Sequence, residues 1–377
     1  MEQAPLRDVR VVDMATLLAG PGVARHLADM GADVIKVEAP AGDPARRLGW
    51  VDPTDGETFM WKLVGRNKRS IVLDLKTDDG LRVMQRLLRS ADVLVENLRP
   101  GALERLGLAP DDLLAANPRL VILRMTGFGQ TGPWAARPGF ATLAEAMSGF
   151  AAINGEPDGK PLLPPVALTD EVAALAGAFA TMVALYERER SGKGQVVDVS
   201  LLETMFHLLG PLPAAAAHLG YEQPRLAGGI PYTVPRNTYR CADGKWVAIS
   251  TSADTVARRV LDLLGVGGDE RFTTFARREA HREELDEIVA DWVAQRSSEE
   301  VIAAFDAAQA AIAPVLSMNE LLAHPHVVAR DAFIEVDGVR MAGPVARFSR
   351  TPGRIEHAGR PMGADTDAVL AELDEGD

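Results

Sequence analysis

Apolar positions along the first half of the chain follow two alternating rhythms. Val9–Met14 (VRVVDM), Asp33–Glu38 (DVIKVE), Ser70–Leu75 (SIVLDL), Asp92–Leu98 (DVLVENL) and Leu120–Gly129 (LVILRMTGFG) are short apolar runs of strand length. Between them lie VARHLADMG, GLRVMQRLLRSA and PDDLLAANP, whose apolar residues return at the spacing of one helix face. Apolar strands alternating with helices predict a parallel sheet covered on both faces.

The rhythm then changes. A long Ala-rich helix follows Asp170, with a turn at Ser191–Gln195 and a strand VVDVS behind it. Pro211 and Pro213 interrupt the next helical stretch, and the segment up to Arg225 reads as the exit from a first lobe. Asn237–Ser250 predicts a hairpin turning at Asp243-Gly244. Helical stretches run from Asp254 to about Ala310, IAPVLSMNELLAHP marks a second crossing, and Phe333–Arg354 has strand-like runs. The expected class is α/β, with a large domain over 1–222, a smaller α+β domain over 223–315, and a return to the large domain over 316–377.

Composition narrows the function. The chain has 377 residues, 47% of them hydrophobic, which is ample for two packed lobes. A formal charge of −13 argues against nucleic acid and anionic membrane as partners. Cys241 is the single cysteine, so an intramolecular disulfide and a thiolate metal cluster are both excluded. The opening MEQAPLRDVRVVDM has no signal-peptide core, and no run approaches the uninterrupted apolar length of a membrane span, since Glu187 breaks the helix after Asp170. A soluble, cytoplasmic protein is expected.

Several constellations can be weighed. Gly20, Gly22 and Glu38 suggest a dinucleotide fingerprint, but Arg25 stands where the third glycine belongs and Pro21 removes an amide. Arg66–Ser70 (RNKRS), with Lys76 and Arg46–Arg47, is either a solvated loop or a site for a multiply phosphorylated ligand. His324 and His326 flank a proline without a carboxylate at helix spacing from both, so no metal site is expected. No G-x-S-x-G elbow is present. Asp170 and Glu171 open the long helix. Thr169 or Asp170 as an N-cap, with Glu171 favoured by the helix dipole, explains them. A nucleophilic carboxylate kept ionised by the same helix end explains them equally. Local sequence leaves both open.

The blocks VVDMATLLAGPGVARHLADMGADVIKVEAPAGDPAR, NKRSIVLDLKTDDG, ADVLVENLRPGALERLGL, MTGFGQTGP, the Asp170 segment with GKGQVVDVSLLE, and IAPVLSMNELLAHP resemble, in order, the class III CoA-transferases of the CaiB/BaiF type. This group contains formyl-CoA and carnitine CoA-transferases. The resemblance implies a Rossmann-like large domain, an interlocked homodimer, and coenzyme A with its acyl thioesters as substrate rather than as a tightly bound cofactor. It implies CoA transfer from an acyl-CoA to a carboxylic acid, with Asp170 as the covalent nucleophile. By position, CoA contacts fall on Leu17, Leu18, Ala19, Leu73, Lys76, Asn97, Leu98, Arg105 and Arg137. Substrate contacts fall on Phe140, Gly228, Gly229 and Tyr232. Leu18 replaces a glutamine of formyl-CoA transferase, and Ala39 replaces an arginine. The related α-methylacyl-CoA racemases carry a histidine where Phe140 stands here. A second proton-transfer group would then have to be His26, His207 or His218. A non-catalytic acyl-CoA-binding homologue is a third reading.

Overall fold

The computed structural model describes residues 4–376. Six strands form one parallel sheet: β1 (Arg10–Asp13), β2 (Asp33–Glu38), β3 (Lys68–Val72), β4 (Val93–Glu96), β5 (Val121–Thr126) and β6 (Val196–Ser200). Their order is β3-β2-β1-β4-β5-β6. The inner strands are buried: β4 exposes no residue, and Val11, Val12, Ile35 and Leu123 are inaccessible. The order reverses between β1 and β4, which opens a crevice at their carboxyl ends, as in other doubly wound sheets.

Helices cover both faces. On one lie α1 (Ala19–Asp29), α4 (Leu168–Ser191) and α5 (Leu201–His207); α2 (Asp78–Ser90) lies on the other. The short helix α3 (Ala141–Met147) supports α4 and α5. The final helix α6 (Thr366–Gly376) joins the second face through Val369 and Leu373. The closest helix pair is α1 with α4. A methyl on Gly22 would meet Ala174 Cβ at 2.7 Å, and one on Gly177 would meet Val23 Cγ2 at 2.7 Å. Gly22 therefore serves helix packing, which is the use that remains for it once the dinucleotide reading is set aside.

An 18-residue window of α4 has mean hydropathy 1.5, so this helix is long and apolar enough to cross a membrane by length and composition, although its apolar run is bounded by Asp170 and Glu171 on one side and Glu187 on the other. Its inner residues Ala173, Ala174 and Ala184 pack in the core beside α1 and β5.

The chain divides into two compact units. The first comprises 1–150, 163–210 and 329–377, and includes a hairpin of β10 (Phe333–Val336) and β11 (Val339–Ala342). The second comprises Ala151–Leu162 with Pro211–Val328, a wider span than the 223–315 expected for a small domain. It holds a three-stranded antiparallel sheet of β7 (Arg236–Arg240), β8 (Trp246–Ser250) and β9 (Ile312–Pro314) over helices. Its own core includes Val247, Phe272, Val289 and Phe305.

Candidate active site

The crevice at the carboxyl ends of β1 and β4 is a cavity of about 500 Å³. Four segments build it. The β1–α1 turn brings Thr16–Ala19, the loop after β4 brings Asn97–Pro100, the end of β5 leads into Thr126–Gly127, and the start of α3 adds Phe140–Thr142. Asp170 enters from the first turn of α4. Of the residues expected from sequence, the cavity thus collects Leu17, Leu18, Ala19, Asn97, Leu98, Arg137, Phe140 and Asp170. Leu73 is buried just beyond β3, and Lys76 and Arg105 are exposed; none of the three lines the cavity. Gly228, Gly229 and Tyr232 belong to the second unit. There Arg236 Nη1 donates to the Gly228 carbonyl at 2.5 Å, a methyl on Gly228 would strike Asn237 Oδ1, and Tyr232 is exposed.

The helix cap is settled by where α4 begins. It starts at Leu168 with Ala167 as its N-cap, and no side chain caps it. Thr169 instead donates its hydroxyl to Glu145 Oε1 at 2.9 Å. Asp170 lies inside the helix, three residues past the N-cap. Among the described residues, no hydrogen bond or ion pair engages its carboxylate. Burial raises its pKa to about 6, and the charges of Glu145 and Glu171 add to the rise.

Glu171 has a different fate. Arg25, buried on α1, donates to it through Nη1 at 3.3 Å and Nη2 at 2.8 Å. The residue that spoiled the dinucleotide fingerprint therefore ties α1 to the start of α4. His26 approaches the same Arg25 Nη2 at 3.1 Å and does not line the cavity. Burial holds His26 down to about 4, so it is neutral at pH 7. No histidine is among the residues lining the cavity.

The cavity's two cations, Arg99 and Arg137, are both exposed. Arg137 stacks its guanidinium 3.9 Å over the Trp134 ring, and Trp134 meets Phe128 edge-on at 5.4 Å. The loop carrying them is pinched where Gly127 and Gly139 cross: a methyl on Gly127 would lie 2.7 Å from Gly139 Cα.

The basic run has been spent internally. Arg66 pairs with Asp29 at 2.6 Å, Lys68 with Asp13 at 2.8 Å, Arg69 with Asp33 at 2.8 Å, and Arg46 with Glu38 at 2.7 Å. Of the cations weighed for a multiply phosphorylated ligand, these four are thus engaged by acids, while Arg47 and Lys76 are exposed. A second cleft of about 640 Å³ lies at the opposite end of the sheet, and two of its acids, Asp29 and Asp33, are taken by these same arginines. No trio of His, Cys, Asp or Glu among the described residues is grouped to hold a metal ion.

The sequence pattern of CoA-transferase family III matches residues 6–366. The chain belongs to CoA-transferase family III. This family III enzyme is 37% identical to the succinyl-CoA–D-citramalate CoA-transferase of Chloroflexus aurantiacus, over 98% of this chain and 94% of that protein. It is 36% identical to the succinate–glutarate CoA-transferase of Agrobacterium fabrum, over 98% and 96% respectively. Its fold superposes on the crystal structure of a CaiB/BaiF family protein from Brucella suis with a TM-score of 0.87, at 32% identity, covering 98% of this chain and all of that one. The family III fold is thus the mixed α/β architecture expected from the strand pattern.

Proposed function

We propose that this CoA-transferase moves coenzyme A from succinyl-CoA to a dicarboxylic acid through covalent intermediates on Asp170. The observation that carries the reading is the unengaged Asp170 carboxylate in the crevice wall. With a pKa of about 6 it is roughly nine-tenths ionised at pH 7, yet more basic than an ordinary aspartate. An unpaired, partly desolvated carboxylate is a better nucleophile than one held by a cap or an arginine.

In the first step an Asp170 oxygen attacks the thioester carbonyl, the C–S bond breaks, and a mixed anhydride and CoA thiolate result. The thiolate then attacks the Asp170 carbonyl of the anhydride. This releases succinate and leaves a β-aspartyl-CoA thioester. The acceptor carboxylate attacks that thioester, expelling thiolate and forming a second anhydride. Thiolate attack on its acyl carbonyl gives the new acyl-CoA and restores Asp170. Each step exchanges one activated acyl group for another, so the thioester free energy is kept, provided water is excluded from both anhydrides.

Thr16–Ala19, Asn97 and Leu98 form the wall against which the pantetheine arm lies in this reading, with Leu73, Lys76 and Arg105 further along the same end of the sheet. Arg99 and Arg137 supply the positive charge that an anionic substrate needs in a protein of charge −13. The curated relatives named above act on citramalate and glutarate, which supports a dicarboxylic acceptor. The cavity offers no histidine to pair with Asp170, which speaks against a two-base racemase.

The enzyme is also proposed to work as a homodimer. Leu175, Phe179, Met182, Val183 and Tyr186 lie on one exposed stripe of α4, with Phe179 72% exposed. A contiguous apolar stripe of this kind marks a protein interface.

Trapping tests the central step. Protein incubated with succinyl-CoA and hydroxylamine is digested and sequenced by mass spectrometry. A hydroxamate on Asp170 is expected. Turnover without any modification of Asp170, or α-deuterium exchange in its place, overturns the reading.

A further inference from the structure

The β1–α1 turn carries a conformation its own residues do not favour. Leu17 has φ of 68°, in the left-handed region that a branched side chain rarely enters. The turn is held there from outside. Asp13 Oδ1 accepts from the Ala15 amide at 3.1 Å, and Lys36 Nζ donates to the Ala15 carbonyl. Asn97 grips the next peptide on both sides, accepting from Thr16 N at 2.9 Å and donating to Thr16 O at 2.7 Å. Asp43 Oδ1 accepts from Leu17 N at 3.1 Å. Lys36 and Asp43 are joined to each other at 2.8 Å, and both side chains are 1% exposed.

We propose that the buried Lys36–Asp43 pair is a positioning device for the acyl-CoA wall of the crevice. The two residues come from β2 and from the loop after it, and neither lines the cavity. They touch the site only through the backbone of Ala15 and Leu17. Fixing those two peptides in the strained conformation sets where Leu17, Leu18 and Ala19 face the substrate. A charge pair so far from solvent needs strong compensation, and its gain here is geometry at the turn rather than a surface contact. The inference rests on the reading of this crevice as the coenzyme A site.

Calorimetric titration with coenzyme A tests it, with the thermal midpoint of each variant measured alongside. Asp43→Ala removes the acceptor for Leu17 N and is expected to weaken binding at least tenfold. Asp43→Asn keeps an acceptor for Leu17 N but turns an amide N–H towards the Lys36 ammonium, so it breaks the pair and should weaken binding as Asp43→Ala does. Lys36→Met removes the donor to Ala15 and should weaken binding as Asp43→Ala does, which also covers a failure of that variant to fold. If Asp43→Ala and Lys36→Met lower the thermal midpoint yet bind within twofold of the wild type, the pair is only structural and the proposal is overturned. Asp43→Asn that binds within twofold of the wild type overturns it too, because the pair itself would then not matter. Wild-type protein that does not bind coenzyme A, or that binds it undiminished after Arg137→Glu, sinks the assignment of the crevice itself. Normal wild-type binding beside an unresponsive Asp43→Ala sinks only the positioning role.

Discussion

The β1–α1 turn and the first turn of α4 face the same crevice and are built on opposite plans. In the turn, Asp13, Lys36, Asp43 and Asn97 between them engage the backbone from Ala15 to Leu17, including one residue in an unfavourable conformation. At the start of α4, Thr169 and Glu171 are engaged by Glu145 and Arg25, while Asp170 between them has no hydrogen-bond or ion-pair partner among the described residues. The charges of Glu145 and Glu171 both push its pKa up. The proposed substrate wall is over-constrained. The group that would react is held by its helix alone and is repelled by its surroundings. Such an arrangement trades folding energy for reactivity, as expected where a side chain must form and break bonds.

The strongest way to break this comparison is to remove the repelled group. Asp170→Ala should lower kcat for CoA transfer by about 10³-fold or more, since no other carboxylate lines the cavity, while coenzyme A affinity changes little. Steady-state kinetics with calorimetry reads both. Next is the pH profile. If the ionised carboxylate attacks, kcat/KM should fall about tenfold per pH unit below pH 6, not below pH 4 as for an ordinary aspartate. Glu145→Gln removes one of the charges that hold this value up, so the midpoint of the acid limb should move downwards.

Stability gives a third test, with a definite sign. Burial and two like charges raise the folded-state pKa of Asp170, so the folded protein favours the protonated acid. Its contribution to stability is present below the unfolded value near 4 and is lost as pH rises through about 6. Asp170→Asn should therefore be more stable than the wild type at pH 8, by something on the order of 2 kcal/mol, and no more stable at pH 3.5. Urea unfolding at the two pH values decides it. The smallest effect expected is at the seam joining the two regions. Gly22→Ala would push a methyl to 2.7 Å from Ala174 Cβ, costing about 1 kcal/mol after the gain in helix propensity. A rise in thermal midpoint would show that α1 and α4 pack less tightly than described.

Much of this was legible beforehand. Strands such as VLVE carry no alternation, and that alone implied a sheet covered on both faces. The resemblance carried Asp170. What local sequence left open was the cap, because the answer depends on α4 starting at Leu168, two residues before the carboxylate, and on a glutamate from another helix claiming Thr169. The basic run was opaque for a similar reason. RNKRS enters β3, and its partners Asp13, Asp29 and Asp33 lie more than thirty positions away in the chain. Charge density along the sequence cannot show that each of these cations already has an acid waiting. Likewise, nothing in Ala151–Leu162 announces that it packs with residues beyond Pro211.

One further feature bears on how the molecule is made. β3 is an outer strand of the large sheet, and its free edge is occupied by residues from the far end of the chain. Ser70 N donates to Asp365 Oδ2 at 2.8 Å, Ser70 O accepts from Asp365 N at 2.9 Å, and Val72 N donates to Thr366 Oγ1 at 3.2 Å. These partners stand 295 and 294 positions later. During synthesis the nascent sheet must therefore wait with an unprotected margin, open to pairing with a neighbouring polypeptide, until Asp365 and Thr366 have emerged to seal it.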